Sequence, residues 1–170
     1  MSVLEENFQR TLPGAGANGY RSATGVDGQF DILFVNSFDH PTFDPSITPH
    51  VTQLIVGGDD TEFPAPVRGI SNSVDIGNFD TSGITIVLPD VFMNPASGDF
   101  VGAVPRAANV TLLEAIATAM GNTASHELGH SFGAWHQDNT NATLALMDTG
   151  GLPIGPTRMG VGPDGVFGTA

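Results

Sequence analysis

TLLEAIATAMGNTASHELGHSFGAWH, residues 111–136, is the stretch that organises this chain. Thr111 and Glu114 stand in the capping-box pattern, in which each side chain satisfies a backbone N–H at a helix start. Leu112, Leu113, Ile116, Ala117 and Met120 follow at helical spacing, and the periodicity runs on through Ala124 to Phe132. Gly133 stands where a helix C-cap glycine belongs. The spacing predicts one helix over 111–132, with Gly121 and Asn122 as a weak point costing about 1 kcal/mol each or less.

That helix carries chemistry. Residues i and i+4 lie one above the other on a helix face, so His126 and His130 can aim their imidazoles at one point. A zinc ion needs its nitrogen ligands at ~2.0–2.1 Å. Glu127 lies about 100° round the helix from His126, close enough to hold a water on the metal without being a ligand. His136 is a third candidate ligand, but only if the helix stops. Continued helix would put it about 80° out of phase and ~15 Å along the axis. A positive φ at Gly133 lets the chain double back. Three neutral histidines leave a fourth position free, the layout of a catalytic zinc site. From this chain's own His, Glu and Gly frequencies, the five fixed positions arise by chance with odds of about 10⁻⁵. The bland reading, in which these are ordinary helix-surface histidines, is correspondingly weak. With no cysteine in the chain, a metal site must be built from His and carboxylates.

Working outward, the residues before the helix read as strands. Residues 30–36 (FDILFVN), 51–56 (VTQLIV) and 84–88 (ITIVL) are rich in β-favouring side chains and too short for helices, and a weaker strand is expected within 67–76. The proline-rich segment from Ser37 to His50 must be irregular. Strands first, then one long helix, then an irregular C-terminal part make an α+β plan, a sheet backed by the helix.

Composition limits the partners. The chain has 170 residues with 18 Asp plus Glu against 5 Arg and no Lys, a net charge of −13. That balance argues against nucleic acid or anionic lipid, whose phosphates need clustered cations. No apolar run approaches the ~20 residues that span a bilayer, so no membrane insertion is expected. The N-terminus lacks the layout of a signal peptide, which suggests a mature domain or fragment with any export signal elsewhere. Most of the 13 Asp residues read as solvated surface, with room among them for calcium ligands although no EF-hand pattern occurs.

The segment from His126 to His136 matches HExxHxxGxxH, and ALMDTG, residues 145–150, follows with Met147 eleven residues past His136. In these motifs the chain resembles the metzincin zinc proteases, whose signature is paired with a downstream Met-turn. The likeness extends over residues 111–150 and is nearest to the matrixin-type short form or an unassigned bacterial-type branch. It departs from other branches: Tyr20 is the only tyrosine, so no tyrosine ligand follows Met147, and Gln137 and Asp138 after His136 fit no subgroup.

The resemblance implies a twisted, mostly parallel sheet backed by the active-site helix, with an irregular C-terminal subdomain. It implies a zinc cofactor on His126, His130 and His136, Glu127 as general base, and Met147 as an apolar floor under the metal. It further implies an extended peptide or protein substrate paired with an edge strand, for which residues 84–88 are the candidate, and secretion to an extracellular site. The expected layout is an N-terminal arm or short helix with a Gly-rich loop over 1–28, a catalytic domain over 29–159 and a linker-like tail over 160–170. A monomer is expected, or one part of a larger multidomain chain.

Two other readings stand beside it. One is a non-catalytic or latent zinc module of a larger surface protein, against which the intact Glu127 weighs. The other is a metal-dependent amidase or aminopeptidase. His40 and His50 read as solvated or structural, and Trp135 as a core aromatic beside the helix end. Asp138 reads equally as a residue orienting a ligand histidine and as an exposed turn.

Overall fold

The structure is a computed structural model that describes residues 36–48, 51–61, 63–64, 67–76, 79–80, 82–137, 145–148 and 160–169. The strand expected over 30–36 lies, but for Asn36, outside the described residues. The chain divides into two compact units, Met1–Asp44 and Pro45–Ala170. Of the first, residues 36–44 are described, and they form turns opened by Asn36, whose Oδ1 accepts from the Phe38 and Asp39 N–H groups at 3.0 and 2.9 Å. All named elements belong to the second unit.

That unit is α+β: a three-stranded sheet and a long helix. Strand β1 spans Gln53–Val56, β2 spans Gly69–Ser71 and β3 spans Ile84–Val87. Their order is β1-β3-β2. β1 runs parallel to β3 with Gln53 opposite Ile84, and β2 runs antiparallel to it with Ile70 opposite Ile86. The sheet is therefore mixed, where a mostly parallel one was expected. β3 is also its middle strand, bonded on both sides, so residues 84–88 cannot offer the free edge assigned to them. Their composition suits burial, and burial is what a central strand has. Along β3, Thr85 and Val87 are fully buried while Ile84 faces outward, the period-2 alternation of a sheet with one covered face.

Pro89 does more than end β3. It sits in the first turn of a short helix, α1 (Pro89–Met93), where its missing N–H costs nothing, and α1 turns Val91 and Phe92 into the core. A 3-10 turn over Val101–Ala103 follows.

Helix α2 spans Leu112–Ser131 without a break at Gly121 or Asn122. Thr111 is its N-cap, and the capping box is complete: Glu114 N–H donates to Thr111 Oγ1 at 3.2 Å, and Thr111 N–H donates to the Glu114 carboxylate at 2.8 Å. The first turns expose Leu113, whereas all eight residues from Asn122 to Gly129 are buried. From Asn122 to Gly129 α2 is thus covered on every side, against β2 and β3 on one flank. At Gly69 a Cβ would come within 2.9 Å of Glu127 Cγ, so β2 approaches α2 as closely as its backbone allows. Residues 160–169, expected as a linker-like tail, carry the buried Phe167 and pair with 105–107, where Phe167 N–H donates to Pro105 O at 2.8 Å. Among the described residues no helix is long and apolar enough to cross a membrane.

Candidate metal centre

His126 and His130 stand one turn apart on α2, and the chain must reverse to bring a third imidazole to them. It does so in a Schellman motif. Gly133 takes φ +84, its N–H donates to His130 O, and Ala134 N–H donates to Gly129 O, both at 2.9 Å. A Cβ at Gly133 would stand 2.9 Å from Ile76 Cα, so space as well as backbone conformation demands glycine there. The reversal places His136 against both helix histidines. Its Nε2 lies 3.2 Å from His126 Nε2 and 3.2 Å from His130 Nε2.

These distances fit a common metal. An ion holding nitrogen at ~2.0–2.1 Å with tetrahedral angles sets its donors ~3.3 Å apart. The tautomers fit as well. His126 Nδ1 donates to Leu146 O at 2.7 Å, and His130 Nδ1 donates to Ala134 O at 2.8 Å, which leaves both Nε2 lone pairs aimed at the cluster centre. With a proton on its Nε2, His136 can hydrogen-bond to its neighbours; with that proton on Nδ1, all three Nε2 lone pairs would be available to a cation. The three histidines could therefore hold a metal ion, and among the described residues they are the only group of three or more His, Asp or Glu found to do so.

The environment disfavours the protonated forms of His126 and His136. Burial drives His126 down to about 4, and the neighbouring His130 and His136 push the same way against the Leu146 hydrogen bond and Asp148. His136 is lowered by desolvation and by His130. His126 is buried, His130 half-buried and His136 exposed, so the cluster is anchored in the core and opens at the surface.

Glu127 points to the β2 side. It is 8 % exposed, and burial pushes it up to about 7 against a backbone hydrogen bond from Ser71. Met147, 8 % exposed, packs against α2 at Gly129. It lies in the turn 145–148, which also supplies the Leu146 carbonyl, and Gln137 N–H donates to Met147 O at 2.8 Å, tying the His136 segment to that turn.

Other expectations fare differently. Trp135 is 71 % exposed and lies outside the core it was expected to join, because the reversal at Gly133 swings it outward. His40 is exposed, while His50 and Asp138 lie outside the described residues. Two groups had no role in the sequence reading: the Ser71 N–H, and Asp148, which is 1 % exposed beside the ligands. An acidic residue directly after Met147 was the available signal for Asp148. A shallow depression lined by Gly102 to Val110 offers one charged side chain, Arg106, and none of the histidines. Comparison of the chain with protein-family models, curated proteins and solved structures gives no match.

Proposed function

We propose that the chain is a zinc-dependent endopeptidase of the metzincin type, acting outside the cell on extended peptide or protein substrates. The reading rests on three converging Nε2 atoms and on a buried carboxylate, Glu127, that follows His126 directly on α2 and is poised near neutrality. Zinc held by His126, His130 and His136 supplies Lewis acidity, which makes water acidic near neutral pH and polarises a carbonyl. Glu127 is the general base: it takes a proton from the attacking water and delivers it to the leaving amine. A group whose own pKa lies near the working pH can serve in both directions. Met147, packed on Gly129, serves as the apolar floor of the site.

The edge that reads the substrate is β2. Arg68 O and Asn72 N–H bond to β3, so in the alternation of an antiparallel pair the main-chain groups of Gly69 and Ser71 face away from it. That outer edge adjoins Glu127, whose carboxylate takes the Ser71 N–H, so an extended peptide adding to it would displace that bond or pair through the other outward groups.

The test is cleavage of a denatured protein by the full chain. Hydrolysis should stop with a chelator, return with zinc, and be lost in Glu127→Ala while that variant keeps its zinc. Cleavage by Glu127→Ala at the parent rate removes Glu127 as the base. Bound zinc with no cleavage of any denatured protein favours the latent zinc module.

A further inference from the structure

Asp148 is the least expected side chain near the cluster. It is 1 % exposed, its Oδ2 accepts the Ala145 N–H at 3.0 Å, and its Oδ1 is buried with no hydrogen-bond partner among the described residues. Its own N–H donates to Ala145 O at 3.1 Å, so residue 148 closes the turn 145–148 twice, once with main chain and once with its carboxylate. The turn so closed presents Leu146 O to His126 Nδ1. A buried carboxylate oxygen without a partner is strongly disfavoured in a low-dielectric interior unless a positive charge lies nearby. Of the three histidines, His126 lies within electrostatic reach of Asp148, and it receives the Leu146 carbonyl that the Asp148 turn presents.

We propose that Asp148 is a positioning residue for the metal: one carboxylate oxygen locks the turn that aims the Leu146 carbonyl at His126, and the other holds an uncompensated negative charge that a cation on the three histidines neutralises. This rests on the metal-binding reading of the histidines and not on peptidase activity. The arrangement is a carboxylate acting on a metal ligand through an intervening peptide carbonyl. Three neutral imidazoles bring no charge to offset a divalent ion, and Asp148 supplies one. It has a cost that shows only without metal, when the buried charge faces nothing.

The two roles predict opposite effects on one isosteric change. In Asp148→Asn the side-chain oxygen can still accept the Ala145 N–H, but the charge is gone. The full chain is stripped of metal, and its zinc affinity is measured by competition with a chromophoric chelator, alongside urea unfolding of the metal-free form. Zinc should bind about 10- to 100-fold more weakly, the usual loss when an outer partner of a metal ligand is removed. The unfolding midpoint without metal should stay the same or rise. A zinc dissociation constant within about threefold of the parent overturns the proposal. So does a loss of affinity matched by a fall in metal-free stability, since that marks a merely structural residue. If the amide variant does not fold, Asp148→Ser, smaller and uncharged, is measured against the same two outcomes. A parent chain that binds no zinc overturns the metal reading itself; a parent that binds zinc as tightly as Asp148→Asn overturns this inference alone.

Discussion

The sulfur of Met147 lies where a Cβ on Gly129 would stand: the two would be 2.5 Å apart, with Met147 Cε at 3.2 Å. Replacing a mid-helix glycine with alanine ordinarily gains about 1 kcal/mol. Here overpacking of about 1–3 kcal/mol opposes that gain, so Gly129→Ala should be net destabilising by roughly 1 kcal/mol. Urea unfolding checks the sign. Adding Met147→Ala to Gly129→Ala should recover part of the loss, and a strictly additive double mutant would show that the contact is not shared.

Gly133 has a second constraint of the same kind. Its φ of +84 costs a side-chain-bearing residue about 1–2 kcal/mol, and the Ile76 backbone leaves no room for a Cβ. Gly133→Ala should cost about 2–3 kcal/mol and weaken zinc binding by displacing His136. Asparagine tolerates positive φ, so a purely conformational requirement would make Gly133→Asn mild. The Ile76 contact predicts that Asn fares no better than Ala in thermal unfolding.

His136 is exposed and makes no contribution to the core. His136→Ala should therefore leave metal-free stability within about 0.5 kcal/mol of the parent. Zinc affinity should fall by orders of magnitude, because two ligands replace three. Metal analysis after dialysis reads the outcome, and full zinc occupancy would remove His136 from the ligand set.

Without metal, pH acts on two neighbours in opposite senses. Glu127 is raised from 4.5 to about 7, so between those values the folded chain holds a proton that the unfolded chain has shed. Its contribution makes stability fall as pH rises. His126 is lowered from 6.5 to about 4, so in that window the unfolded chain holds the extra proton and stability rises with pH. The slopes nearly cancel between about pH 4.5 and 6.5. In chelator-treated protein, Glu127→Gln should unmask the His126 slope, with stability rising over that range by on the order of 2 kcal/mol relative to the parent profile. His126→Gln should show the reverse. Urea midpoints at several pH values decide it, and parallel profiles for parent and Glu127→Gln count against a raised Glu127.

The clustering of the three histidines was legible because it is local. Helix periodicity places His126 and His130 together, the capping box and Gly133 mark both helix ends, and the break explains His136. Strand order was not legible, because it depends on which distant segments pair. Residues 84–88 are apolar enough for a strand, yet nothing in their composition distinguishes the centre of a sheet from its edge. Pro89 reads equally as the end of β3 and the start of α1, and only the packing of Phe92 settles it. Phe167 lies among glycines that suggest a linker, and its burial follows from pairing with residues some sixty positions earlier. Asp148 gains its role only once the turn 145–148 is folded onto α2.

Both helix imidazoles are oriented by main-chain oxygens, those of Leu146 and Ala134. A peptide carbonyl is present whatever side chain the codon specifies, so point changes at 134 and 146 leave the acceptor in place. Insertion or deletion of a residue in either segment moves it. Over generations the centre is thus buffered against substitution and exposed to changes of length, and sequence drift around it should be read in spacing before identity.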